Sequence, residues 1–359
     1  MRTWPDRRLL DLFGVDHPIL LGPLAGCGTP ALAIAVSDAG GLGSLPCAML
    51  SLDQARAGLE TIRAATNRPI NLNFFAHQPP KPDPARMMAW RARLAPYAVE
   101  RGIDPESPIP ASGRNPFDAA YCDLVEEFRP AVVSFHFGLP EQGLLDRVRA
   151  TGAKVIGCAT TVAEARWLER RGVDAIIAMG LEAGGHRGMF LSDDLSTQVG
   201  TFALVPQMVD AVSVPVIAAG AVSDARGIVA AQALGAAGDQ MGSAYLLCPE
   251  ASTAPLHRKA LEDAADDNTA VTNLFTGRPA RGLMNRVMRE LGPMSSLAPA
   301  FPLAGGALAP LRAKAEAEGS ADFTNLWAGQ AARYAQAIPA GELTMRLAEQ
   351  ALSKLASLG

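Results

Sequence analysis

Lysine is scarce: 5 Lys stand against 27 Arg in 359 residues, and the net charge is −4. With no basic run or basic excess, the chain offers no field for nucleic acid or an anionic membrane, and neither is expected as a partner. Cysteine is sparse too. Cys27, Cys47, Cys122, Cys158 and Cys248 are odd in number and contain no CxxC pair. That argues against a disulfide framework and a structural zinc centre, and it favours a reducing compartment. No apolar run approaches the roughly 18 residues that span a bilayer. The first ten residues, MRTWPDRRLL, lack the apolar stretch of a secretory signal. A cytoplasmic protein is therefore expected. HExxH, EF-hand, Walker A and GxSxG patterns are missing, and Gly40-Gly41-Leu42-Gly43 does not match GxGxxG. No metal site and no Rossmann nucleotide site is expected.

What is present is a regular alternation. Eight short apolar runs end near residues 22, 45, 75, 135, 157, 179, 219 and 241, with amphipathic segments between them. Ala31–Ala39 reads as a helix behind Thr29 as N-cap and Pro30 at its first position. Apolar strands separated by helices indicate a parallel sheet buried on both faces. The count fits an α/β fold, a (β/α)8 TIM barrel, with a doubly wound open sheet as the alternative. A second, smaller, mostly helical domain is expected. The expected division is a barrel over 1–248, carrying a helical insertion near 78–128, and a C-terminal helical domain over 249–359 on the substrate side. The Pro-rich part of the insertion runs from Gln78 to Asn115. In the tail, Thr253–Asp267, Arg281–Leu291, Leu311–Glu318 and Leu343–Leu358 read as helices, and Pro293–Pro310 as a loop.

Chemistry in such a barrel sits at the C-terminal ends of the strands. After the seventh run come Gly220 and Ala221, before a helix; after the eighth come Gln240, Met241, Gly242 and Ser243. Two adjacent small-residue turns at helix starts suggest a phosphate clamp, because backbone N–H groups there face an anion. The sixth run leads into GLEAGGHRG at 180–188, which puts His186 beside Gly184 and Gly185. An imidazole there can donate or accept a proton near neutral pH. The fourth run ends in SFHFG, which places His136 at the rim between two aromatic rings, a setting that favours its neutral form. Asn73 ends the third run and offers an amide to a heteroaromatic edge; Pro23, Leu24 and Ala25 end the first and suit the underside of a flat ring. His17, His77 and His257 are read as structural.

These segments resemble the nitronate monooxygenases, formerly called 2-nitropropane dioxygenases, an FMN-dependent (β/α)8 family. The matching stretches are GPLAGCGTPALAIAVSDAGGLGS at 22–44, NLNFF at 71–75, VVSFHFGLP at 132–140 and GLEAGGHRG at 180–188. LVPQMVDAV at 204–212, PVIAAGAVSDARG at 215–227, QMGSAYL at 240–246 and TGRPARGLMNR at 276–286 also match. The resemblance implies one non-covalent FMN and oxidation of an alkyl nitronate, such as propionate 3-nitronate, by O2 to a carbonyl compound and nitrite. Catalysis would fall to His186 and His136. FMN would be bound by Pro23, Leu24, Ala25, Asn73, Met179, Gly184, Gly185, Gly220, Ala221, Gln240, Met241, Gly242 and Ser243. Three positions depart from the pattern: Met179 stands where Gln is usual, Ala221 where a second Gly is frequent, and Asp239 in a strand that is usually apolar. An NAD(P)H-dependent FMN reductase of the enoyl-ACP reductase type is the alternative, and SFHFG speaks against it. A barrel without turnover, acting as scaffold or sensor, is a third reading.

Overall fold

The computed structural model describes residues 3–110 and 114–358. Positions 111–113 of the expected insertion, the chain's first two residues and its last one lie outside the described residues. Eleven strands are described in chain order: β1 (Ile19–Leu21), β2 (Gly43–Pro46), β3 (Ile70–Phe75), β4 (Val132–His136), β5 (Lys154–Ala159), β6 (Ala175–Met179), β7 (Gly185–His186), β8 (Val216–Ala219), β9 (Gly238–Met241), β10 (Thr269–Thr272) and β11 (Ala280–Leu283). Eight of them form one parallel sheet in the order β1-β9-β8-β6-β5-β4-β3-β2. A parallel bridge between Leu20 and Leu42 brings the two edges together. The eight expected apolar runs are these strands, and the fold is a (β/α)8 barrel.

Capping follows the local chemistry. Thr29 accepts from the Leu32 N–H and Pro30 opens the helix Pro30–Asp38. Ser51 and Gln54 close a capping box at Leu52–Ala65. Both leave few helix-end N–H groups without an acceptor.

The packing does not follow the expected division at 248/249. The insertion's helix Pro84–Glu100 packs on the tail's helix Ala304–Ala317, and the Trp90 indole donates to the Ala304 carbonyl at 3.1 Å. Trp90, Leu94, Leu274, Phe275, Val287, Met288, Leu308 and Phe323 form one apolar core separate from the barrel's. The last helix, Ala340–Leu358, returns to the barrel and packs on Pro30–Asp38 and Ala225–Ala233. Its Leu343, Leu347 and Ala351 lie in the barrel core.

The tail also contains strands. Residues 281–283, expected as the start of a helix, belong to β11, which pairs antiparallel with both β10 and β7. A helical pattern lost to the hydrogen-bond partners that two neighbouring segments supplied. Helix Ala304–Ala317 likewise begins inside the expected Pro293–Pro310 loop.

Candidate active site

β4 ends at His136, and the chain then turns through two residues in the left-handed region, Phe137 at φ 72° and Gly138 at φ 93°. This turn leaves His136 at the rim. His186 lies on β7, held by β11: Ala280 pairs with His186, and the Arg187 N–H donates to the Pro279 carbonyl at 2.8 Å. The two imidazoles thus come from opposite sequence contexts and meet through a backbone contact. His136 Nε2 lies 3.0 Å from the His186 carbonyl oxygen. A carbonyl only accepts, so His136 donates from Nε2. His186 Nε2 lies 2.9 Å from Thr276 Oγ1. Gly188 is needed beside them, since a Cβ there would come within 2.6 Å of Cys158 Sγ and 3.1 Å of His136 Cε1.

Around the histidines stand Phe75, Phe137, Phe301 and Trp327, with the Trp327 ring 5.4 Å from that of His186. The Arg278 guanidinium lies 4.1 Å over the Phe137 ring and also bonds the Met189 carbonyl. Burial drives the His136 imidazole down to about 4, against the backbone bond to His186 and helped by the charges of Arg278 and Arg187. Burial, reinforced by Arg114 and then by His136 and Arg278, holds His186 well below its ordinary range. Both rings are neutral at physiological pH. His186 was expected to exchange protons near neutrality; burial and the neighbouring charges move it below that range.

A cavity of about 370 Å³ opens over the barrel mouth. Pro23, Leu24, Ala25, Asn73, His136, Met179, Gly184, Gly185, His186, Gly220, Ala221, Gln240, Gly242 and Ser243 all line it. Met241 does not: it is fully buried in the core, because side chains alternate along β9 and Gln240 takes the inward position. The same alternation answers the question posed by Asp239. It faces away from the cavity, into the layer between strands and helices, so it opposes neither the barrel interior nor an anion at the mouth. Neither of its carboxylate oxygens has a partner, and burial pushes the group well above the usual carboxylate range.

Met179 uses its sulfur within the protein. Sδ accepts from the Gly188 N–H at 3.3 Å and faces Cys158 Sγ at 3.8 Å. Asn73 donates to Ser134 Oγ at 2.9 Å, beside Asn71, which donates to Ser44 and Ser134. Ala221 adopts φ 58°, a left-handed conformation that costs an L-residue roughly 1–2 kcal/mol. At the following helix, Ala225–Ala233, Asp224 already accepts from the Arg226 and Gly227 N–H groups. Two amides of that helix's first turn are thus occupied by its own N-cap.

The cavity wall also holds groups that no local pattern marked: Arg114, Trp327, Arg312 and His257. His257, read as structural, lines it with a buried ring whose Nε2 has no partner. Thr276 touches His186 across 90 residues of chain. Its motif was legible as a resemblance, but a contact of that span leaves no periodic signal. Among the described residues there is no group of three or more His, Cys, Asp or Glu side chains that could hold a metal. No helix of the described residues is long and apolar enough to cross a membrane.

A family model described as nitronate monooxygenase matches residues 6–350. A nitronate monooxygenase of Pseudomonas aeruginosa is 41% identical over 349 residues, covering 96% of this chain and 98% of the relative. One from Paraburkholderia phytofirmans is 41% identical over 344 residues, 95% of this chain and 94% of the relative. Among solved structures, a nitroalkane oxidase from Streptomyces ansochromogenes superposes with a TM-score of 0.89 at 37% identity, covering 98% of this chain and 100% of that one. FabK from Thermotoga maritima superposes at 0.74 with 28% identity, covering 99% of each chain.

Proposed function

The chain belongs to the nitronate monooxygenase family, and from that premise we propose that it is an FMN-dependent oxidoreductase that uses O2 to convert alkyl nitronates to a carbonyl compound and nitrite. The observation that carries the reading is the shared cavity: small-residue turns and two neutral imidazoles line one space at the barrel mouth.

The residues fit a flavin mononucleotide. A Cβ built on Gly185 meets nothing within 4 Å, and one on Gly242 only Leu24 at 3.5 Å, so the backbone at both places lies open to a ligand. Gly220, Ala221, Gln240, Gly242 and Ser243 would hold the phosphate; Pro23, Leu24, Ala25, Asn73, Met179, Gly184 and Gly185 would border the ring. When bound, FMN would supply the electron-accepting and oxygen-reacting chemistry that no side chain here can. A nitronate is already deprotonated at carbon, so no strong base is required of the protein. His186 would donate a hydrogen bond to the anion and fix its orientation. Neutral rings carry no charge of their own, so the counter-charge falls to Arg114 in the cavity wall and Arg278 behind Phe137. His136 would hold the His186 backbone in place. Phe75, Phe301 and Trp327 would keep water from the reacting face. A cytoplasmic location agrees with this chemistry.

The test is nitrite release and oxygen uptake by the yellow, purified protein with propionate 3-nitronate. His186→Asn is expected to lower turnover by about a hundredfold while the flavin colour persists, a loss typical of a preorganised donor. Wild-type turnover in both His186→Asn and His136→Asn would reject the assignment. The resemblance to FabK keeps a reductase reading in view. Rapid anaerobic bleaching by NADH or NADPH, without nitrite release, would favour it.

A further inference from the structure

We propose that Gly329 is a positioning residue for the cofactor phosphate: its N–H takes a lone pair of Ser243 Oγ and leaves that hydroxyl's proton for the anion. The inference rests on reading FMN as the cofactor and the turn at 240–243 as part of its phosphate site. The Gly329 N–H donates to Ser243 Oγ at 2.8 Å. A backbone N–H only donates, so the hydroxyl oxygen accepts there whichever way its own proton turns. Among the described residues Ser243 Oγ has no other hydrogen-bond partner. Its single proton therefore has no acceptor in the protein, and the residue lines the cavity.

The donor is held in place from the tail. Trp327, Ala328, Gly329 and Ala331 all line the cavity. A backbone bridge joins Trp327 to Gly282 on β11. The Ala328 N–H donates to the Arg281 carbonyl at 3.3 Å, and the Gln330 N–H to the Glu182 carbonyl at 3.0 Å. These bonds flank Gly329 on both sides, so its N–H cannot swing away from Ser243 without breaking them. The stretch also presses on the loop that carries Gly184. A Cβ on Gly329 would come within 2.9 Å of the Glu182 carbonyl oxygen and 3.1 Å of the Gly184 N, and one on Gly184 within 2.4 Å of the Gly329 N. Glycine at both positions permits this approach. A hydroxyl whose acceptor side is already occupied is polarised and pre-oriented, so it donates more strongly to a phosphate oxygen than a free rotor does. Only the phosphate end of the cofactor gains from this arrangement.

The experiment is titration of the full chain with FMN and with riboflavin, which lacks the phosphate, followed by flavin fluorescence. The readout is the ratio of the two dissociation constants, in which changes in ring binding cancel. Ser243→Ala is expected to lower the preference for FMN about tenfold, the share of one hydrogen bond to a charged group. Gly329→Ala, pushed from Ser243 by its Cβ, should lower it about fivefold, and the double variant should fall no further than Ser243→Ala alone. A Gly329→Ala variant that weakens both flavins equally has a merely structural defect and overturns the proposal, as do losses that add in the double variant. Should Gly329→Ala not fold, amide exchange at Gly329 in the wild type decides it. FMN should slow that exchange more than riboflavin does, and Ser243→Ala should abolish the difference; equal slowing by the two flavins overturns the proposal. A wild type with no preference for FMN removes the phosphate site and the proposal together. Should the preference respond as expected while no nitronate yields nitrite, the positioning role stands and the functional reading falls.

Discussion

Asp239 lies on β9 between Gly238 and Gln240, fully buried, with both carboxylate oxygens unpartnered. An isolated buried carboxylate is costly, so the group keeps its proton in the folded state. Its folded-state pKa is raised above the unfolded value, so the native chain binds the extra proton. The sign follows: the folded state is penalised progressively as pH rises above the unfolded carboxylate value. Asp239→Asn carries no such charge. It is expected to gain stability over the wild type by about 1.4 kcal/mol per pH unit from pH 5 upward, until the folded carboxyl itself ionises. Denaturant unfolding of both proteins at pH 5, 6 and 7 checks this, and parallel curves would refute it. Asp239 was visible in the sequence as an oddity within an apolar strand. Which way it points was not, because that depends on the register of β9 against β1 and β8.

At the scale of elements, the segment from β6 to Leu191 is held by a buried polar chain. The Arg187 guanidinium, fully buried, donates to the Gly180 carbonyl at 2.6 Å, the Met179 carbonyl at 2.8 Å and Gln198 Oε1 at 2.9 Å. Gln198 donates to Thr160, which donates to Glu164 at 2.7 Å. Glu164 also accepts from the backbone N–H groups of Thr160, Phe190 and Leu191. The loop that carries His186 is therefore fixed at both ends by charge-assisted bonds. Arg187→Met fills similar volume but removes the guanidinium donors from the buried Met179 carbonyl and from Gln198 Oε1, and leaves the Gly180 carbonyl only the Ala183 N–H. It is expected to cost about 3 kcal/mol or more of stability and to lower kcat along with it. Urea unfolding and turnover measured on one preparation check both. Unchanged values would mean that β7 and β11 alone hold the loop. In the sequence, Arg187 reads as one more polar residue beside His186. Its burial follows from the crossing of the tail strand.

For the whole molecule, acid sensitivity follows from the buried imidazoles. His77, His136 and His257 are each driven by burial to about 4. The unfolded chain protonates these rings below about 6.5, whereas the folded chain does not until far lower. The unfolded state thus binds more protons in that window, and stability falls as pH drops from about 6.5 toward 4, by roughly 1.4 kcal/mol per pH unit for each ring. His77 sits among Phe75, Phe137 and Phe301, at 6.2, 6.1 and 4.8 Å between ring centres, with the charge of Arg278 also disfavouring its cation. His77→Phe keeps an aromatic ring there and should make the decline shallower by one ring's share. Unfolding midpoints between pH 7 and 4.5 measure it, and an unchanged slope would show that His77 does not contribute.

The parallel α/β architecture was legible in the sequence, with the barrel set ahead of an open sheet. Eight apolar runs at strand length, each followed by a helix, can bury both faces only in a parallel sheet, and the closed form leaves no edge. The sequence also marked fourteen of the residues that line the cavity, because glycine turns and polar residues at strand ends occupy fixed places once the barrel exists. Tertiary structure alone decided what joins those places. Helix Pro84–Glu100 finds its partner beyond Ala304, the final helix returns to the barrel, and β11 pairs with the His186 strand. Local propensity is weak beside the apolar area and hydrogen-bond partners that distant segments bring. The chemical state of the site belongs to the same level. Burial and arginines remote in sequence make both imidazoles neutral, and Thr276, a contact across 90 residues, faces the nitrogen of His186 that periodicity cannot reveal.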